Sequence, residues 1–303
     1  MPDRWARWLD PLALGRLSAQ PLVSLSAMEG TVSGHHKSPH RGSSVEFAEY
    51  RNYAPGDDIR RLDWRVFART DRFYLKEFEA ETNLRCYLVL DASGSMGFTG
   101  KGGVNKFDYA RRLAAALGYL VVQQGDAAGF SCMGDRAKVE VPPKRHPSHL
   151  QLVLEKLDEA EASGETRVVE ALHSLADRIR RRALVLVFTD AFFDPEALLS
   201  ALQHLRYQKH DVVLFQLLDR MELDFQFDRP VRFVDLEGPM SVVTEPGLVR
   251  DEYLRQLHGH LDRLSTGCRE FKVDYRRVVT DEDYERVLAG YLVDRLRLAG
   301  GLM

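Results

Sequence analysis

From residue 84 onward the chain alternates short, continuously apolar runs with longer stretches whose apolar positions recur every three or four residues. The first pattern marks strands buried on both faces; the second marks amphipathic helices. Residues 84–90 (LRCYLVL), 183–189 (ALVLVFT) and 211–218 (DVVLFQLL) predict three central strands. Residues 106–123 carry Phe107, Ala110, Leu113, Ala114, Leu117 and Leu120 at helical spacing. Further helices are predicted over 149–160, 167–181, 195–209, 248–265 and 281–298, and shorter strands over 127–132, 137–141 and 271–278. Strand and helix alternating in this way predict an α/β fold, a doubly wound and mostly parallel sheet with helices on both faces.

Residues 33–81 have a different texture, with both signs of charge interleaved and few periodic apolar positions. The expected division is therefore an N-terminal charged extension over 1–82 and an α/β domain over 83–303. Residues 1–20 contain Asp3 and Asp10 and no continuous apolar core, so no secretory signal is expected. Trp5, Trp8, Leu9, Leu12, Leu14 and Leu17 alternate there with Arg4, Arg7 and Arg16. An amphipathic piece of this kind lies on a membrane, or else packs on the body of the protein or frays, and the latter reading is preferred.

Composition narrows the classes. A hydrophobic content of 45% and charged content of 29% are ordinary for a globular protein. A net charge of -3 lacks the basic footprint of a nucleic-acid binder. No apolar run approaches the roughly 20 residues of an integral membrane segment. The three cysteines, Cys86, Cys132 and Cys268, are widely spaced with no CxxC pair, which suits a reducing, cytoplasmic location. Cys86 falls inside a strand pattern, where cysteine acts as a small hydrophobe.

Ligands of an open parallel sheet bind at the carboxyl ends of its strands. The run 84–90 stops abruptly on Asp91, Ser93 and Ser95, the run 183–189 stops on Asp190, and Thr166 directly precedes a helix. Singly, each has a structural explanation: Ser95 as a turn residue, Thr166 as an N-cap, Asp190 as a cap for the next turn. Together they bring two carboxylates and three hydroxyls to one edge of the sheet. Oxygen donors suit Mg2+, with Mn2+ or Ca2+ as alternatives. Hydroxyls are weak ligands, so a cation held this way stays electrophilic and favours an incoming acidic group.

Two other signals carry less. Residues 98–106 (FTGKGGVNK) lack phosphate-loop spacing and read as a flexible glycine-rich loop beside the site. His35, His36 and His40 have neither nearby cysteine nor helical spacing and read as loop histidines rather than zinc ligands. In the charged extension, Asp57, Asp58 and Asp63 stand among Arg51, Arg60, Arg61, Arg65 and Arg69, with Trp64 between them. An ion-pair lattice that fixes this region is the preferred reading, and a docking surface is the alternative.

The set Asp91-x-Ser93-x-Ser95, Thr166 and Asp190 resembles the metal-ion-dependent adhesion site of von Willebrand factor A domains. Upstream, Arg51, Tyr53, Gly56, Asp57, Asp58, Arg60, Asp63 and Trp64 resemble the signature of the family called domain of unknown function 58. The resemblance runs from about residue 29 to 297 and implies a von Willebrand factor A-like, Rossmann-type fold. It also implies magnesium binding by those five residues and joint action with a MoxR-type AAA+ ATPase in chaperone-like assembly or maturation of client proteins. Thr189 stands where that site's pattern leads one to expect serine. A protein-interaction module rather than an enzyme is expected. The rival is a metal-dependent hydrolase using the same site, which needs a general base; Glu165 is the one histidine or glutamate in the three loops.

Overall fold

The computed structural model describes residues 7–25, 36–37, 46–52, 66–67, 69, 73–79, 81–82, 84–100, 103–134, 138–165, 167–227 and 229–301. The chain forms two compact units, Ala27–Leu84 and a larger one made of Met1–Ser26 with Arg85–Met303. The first 26 residues go with the larger unit. The reason is packing. Asp10 caps the helix Pro11–Leu17, which buries Ala13, Leu14 and Leu17. Just ahead of it, the Trp8 indole donates to Asp158 at 2.9 Å. Trp8, Leu14 and Leu17 of the segment are buried, while Leu12 stays exposed.

In the larger unit, six strands form one sheet: β5 (Arg85–Asp91), β6 (Ala127–Met133), β7 (Lys138–Lys144), β8 (Leu184–Thr189), β9 (Asp211–Leu218) and β12 (Asp274–Val279). Their order is β12-β9-β8-β5-β6-β7. All neighbours are parallel except β7, which runs antiparallel to β6 at the edge. The four strands β5, β6, β8 and β9 are buried almost end to end, as their unbroken apolar runs require. The doubly wound, mostly parallel sheet expected from the alternation is present.

Helices Lys106–Gln123, Pro147–Glu159 and Tyr284–Gly301 pack on one face; Val168–Arg178, Pro195–Tyr207 and Pro246–Glu270 pack on the other. The strands feed both layers by alternation. Val89, Val185, Val187 and Leu214 meet Leu172, Leu202 and Leu264 on the second face. Phe188 stacks on Phe215, which meets Tyr291 of the first face edge-on at 5.0 Å. After β5 the chain moves to β6 on one side, and later returns to lay down β8 on the other side of β5. The gap between the carboxyl ends of β5 and β8 is therefore the topological switch point, where such sheets open a crevice.

Two segments depart from the sequence reading. Strand β7, expected to stop at 141, continues through Pro142 and Pro143 to Lys144. An edge strand tolerates prolines that an inner strand would not. Its partner bulges at Gly129, where a Cβ would lie 2.7 Å from the Val141 oxygen. The second departure is a hairpin that no periodicity announced, β10 (Val231–Val234) with β11 (Ser241–Thr244). Its strands are too short and too exposed to show an alternating core face, and Phe233, packed on Phe225 and Phe227, anchors it.

In the smaller unit, β2 (Glu46–Asn52) pairs antiparallel with β3 (Tyr74–Glu79), Arg51 lying opposite Leu75. A two-residue pair joins β1 (His36–Lys37) and β4 (Glu81–Thr82). Asp57, Asp58, Arg60, Asp63 and Trp64 lie outside the described residues. Among the described residues no helix is long and apolar enough to cross a membrane.

Candidate functional site

Strand β5 delivers Asp91 to the switch point, where its carboxylate is 1% exposed. The chain then leaves the sheet in a short 3-10 turn, Gly94–Gly97, with Ser93 at its start. Asp91 Oδ1 accepts the Ser93 N–H at 2.9 Å, and its Oδ2 accepts the Thr189 hydroxyl at 2.6 Å. The Ser93 and Ser95 hydroxyls lie 3.2 Å apart. The threonine found where serine was expected therefore supplies a direct tie between the ends of β5 and β8.

Asp190 follows β8 and is also 1% exposed. Gln216 of β9 donates to the Asp190 carbonyl at 2.9 Å. The next residue, Ala191, has φ of 58°, a left-handed conformation costing a non-glycine residue about 1–2 kcal/mol. His260 fixes that turn by bonding the Ala191 carbonyl at 2.8 Å. Thr166 lies outside the described residues. Its loop nevertheless reaches the site: Ser163 donates to the Ala92 carbonyl at 2.9 Å, and Gly94 donates to the Gly164 carbonyl at 3.0 Å. Of the five expected ligands, Asp91, Ser93, Ser95 and Asp190 come together at one sheet edge.

Sequence reasoning missed Lys106. The segment 98–106, read as a flexible loop, ends in a lysine with no exposed surface. Its ammonium lies 2.7 Å from Asp190 Oδ2 and 2.6 Å from Glu222 Oε1. Burial works against the charge, but Asp190 and Glu222 outweigh it and hold Lys106 above its ordinary range. One signal was available. A lysine opening the helix Lys106–Gln123 runs against the helix dipole, so some other partner had to account for it. Glu222 belongs to a capping box with Asp219 at the helix Arg220–Asp224, a spacing visible in sequence, but its reach to Lys106 was not. The glycine-rich loop is itself tied down, Gly100 donating to Asp219 at 2.9 Å.

Asp91 and Asp190 are buried and Glu222 is partly buried, and the Lys106 ammonium contacts Asp190 and Glu222 but is not paired with Asp91. Burial, then the neighbouring Asp190 charge, push the Asp91 carboxyl up to about 7, against the bonds from Thr189 and Ser93. No three His, Cys, Asp or Glu side chains converge as a metal cluster among the described residues. The donor set here is different in kind, two carboxylates with serine hydroxyls. Hard oxygen donors carrying surplus buried negative charge fit a divalent cation of the magnesium type.

The other candidate groups have structural occupations. Asp194 caps its helix by accepting from Glu196 and Ala197, Asp108 pairs with Arg111, and Glu165 is exposed. Cys86, Cys132 and Cys268 are free and buried; burial pushes the Cys132 and Cys268 thiols up to about 12.

Among known proteins, Uncharacterized protein Rv1480 of Mycobacterium tuberculosis is similar at 27% identity over 299 residues, 96% of this chain and 93% of that one. Of solved structures, conserved hypothetical protein BatB from Bacteroides thetaiotaomicron superposes with a TM-score of 0.47 at 12% identity, covering 71% of this chain and 100% of BatB. The SpRpn10 VWA domain does so with a TM-score of 0.40 at 9% identity, covering 72% and 97%. The family described as Protein of unknown function DUF58 matches residues 49–262, and the chain belongs to it.

Proposed function

We propose that this protein is a divalent-metal-dependent interaction module of the von Willebrand factor A type, which docks an acidic side chain of a protein partner. The carrying observation is the convergence of Asp91, Ser93, Ser95 and Asp190 at the switch point, with oxygen donors and more buried negative charge than Lys106 balances. Asp91 and Asp190 would hold the cation with the two serines, and Thr166 completes the set by the resemblance. Bound there, a cation supplies Lewis acidity toward an incoming carboxylate. Thr189 and the Ser93 amide orient Asp91, while Gln216 and His260 fix the turn that carries Asp190. Lys106 neutralises part of the charge and keeps Asp190 in place.

Binding is preferred over hydrolysis, which needs a general base, because the bases near the site loops in sequence are otherwise placed. Asp108 and Asp194 are engaged at helix starts, and Glu165 faces solvent. The partner put forward is a MoxR-type AAA+ ATPase, with the pair acting in assembly or maturation of client proteins; this rests on the family resemblance. The test is capture of the cognate ATPase by the immobilised full chain. Asp91→Ala, or chelation of divalent metal, is expected to abolish capture. Undiminished capture under both conditions refutes the proposal, and robust Mg2+-dependent phosphoester turnover that Asp91→Ala removes would transfer the site to the hydrolase reading.

A further inference from the structure

The hairpin β10–β11 ends in a turn, residues 235–240, that lies against the loop carrying Ser93 and Ser95. The contact is built from both sides. On the hairpin, Asp235 Oδ1 accepts the Glu237 N–H at 2.9 Å and Asp235 donates to the Met240 carbonyl at 2.9 Å, which shapes the tip. Glu237 Oε1 then accepts the Ser95 N–H at 3.3 Å. On the site loop, residue 94 is glycine, and a Cβ there would lie 2.1 Å from the Leu236 carbonyl oxygen. A side chain at 94 would drive the tip away, so the close approach depends on Gly94.

An acidic side chain of the chain itself thus reaches the segment whose hydroxyls are candidate ligands. We propose that Glu237 is the site's internal acidic ligand, which a partner's carboxylate must displace. This rests on the metal-dependent docking reading and adds its regulation. The hairpin suits the task. Its strand β10 is pinned by Phe233 against Phe225 and Phe227, while Val234, Leu236, Met240, Val242 and Val243 are exposed. The tip meets the site loop through the Glu237 carboxylate on the Ser95 N–H and the approach of the Leu236 carbonyl to Gly94. The arm's exposed apolar residues lie beside the carboxylate that has to be exchanged, so the fitting partner is a protein surface presenting an acidic residue next to apolar ones.

The test uses the full chain, Mn2+ as the probe metal and N-acetylglutamate amide as the probe carboxylate, followed by water-proton relaxation of the bound Mn2+. Glu237→Gln keeps the side-chain size and removes the charge, and Asp91→Ala is the metal-site control. An internal ligand engaged nine-tenths of the time lowers apparent affinity about tenfold, so the probe is expected to bind Glu237→Gln at about one-tenth the concentration wild type needs. The variant's Mn2+ is also expected to show higher relaxivity before probe is added, because a coordination position opens to water. Equal relaxivity and equal probe affinity in two proteins that both bind Mn2+ overturn the internal ligand and leave the metal site standing. Failure of wild type and Glu237→Gln alike to bind Mn2+ above the Asp91→Ala control overturns both.

Discussion

Lys106→Met provides the most direct measure of how the site is held together. Methionine keeps the length of the side chain and removes the ammonium, leaving the buried Asp190 and the partly buried Glu222 without their shared counter-charge. At an effective dielectric near 20, each contact at 2.6–2.7 Å corresponds to about 6 kcal/mol of attraction, much of it offset by the cost of desolvating the ions. Breaking such a pair from one side costs about 3–5 kcal/mol, because the remaining charges stay buried. Against a typical total of about 5–15 kcal/mol, urea unfolding followed by circular dichroism would register this as a large fall in midpoint. Adding Glu222→Gln to Lys106→Met should recover part of the loss, since the second change removes one orphaned charge. A divalent cation at a fixed concentration should stabilise Lys106→Met more than wild type, by about 1.4 kcal/mol for each tenfold by which the variant binds it more tightly, if it binds only the folded state. A loss below about 1 kcal/mol, the level of an exposed pair, would refute the reasoning.

The remaining predictions concern the far end of the sheet. Arg295 is fully buried; it pairs with Asp211, reaches Asp274 at 3.4 Å and donates to the Val23 carbonyl at 3.0 Å. Arg295→Met should cost about 3–5 kcal/mol and increase proteolysis within residues 11–25, and an unchanged unfolding midpoint would contradict it. His210 is 1% exposed and accepts the Ala183 N–H on Nδ1 at 3.2 Å, which only the neutral ring can do. Burial, then the Arg206 charge, lower its pKa from 6.5 to about 4. The unfolded chain therefore takes up the proton first. The stability contribution is complete above pH 6.5 and is lost as pH falls toward about 4. That loss amounts to about 3 kcal/mol at 1.36 kcal/mol per tenfold change in proton affinity. His210→Gln should flatten this part of the stability–pH curve, and an undiminished slope would assign it elsewhere. For the site itself, the Asp91→Ala capture experiment and the Glu237→Gln relaxation experiment stand as set out with their proposals.

Much of the fold was legible in sequence because fully buried strands leave continuous apolar runs, and 84–90, 183–189 and 211–218 could hardly be anything else. The helices were legible for the same reason of periodicity, with their ends displaced by a few residues. Asp91, Ser93, Ser95 and Asp190 were legible because a parallel strand that stops on oxygen-bearing residues exposes them at one predictable edge. The order β12-β9-β8-β5-β6-β7 was not legible, yet it is what makes the ends of β5 and β8 neighbours across a switch point. Nor could local patterns find Lys106, Glu222 or Glu237, which come within hydrogen-bonding distance of the site from 84 to 142 residues along the chain from their partners in it or from one another. Periodicity reports burial along one element, while charge balance at a site is a sum over elements that only the packed chain brings together. The oxygen-bearing residues of the candidate site were thus written in the strand endings, and the lysine and glutamates that reach them were decided by the fold.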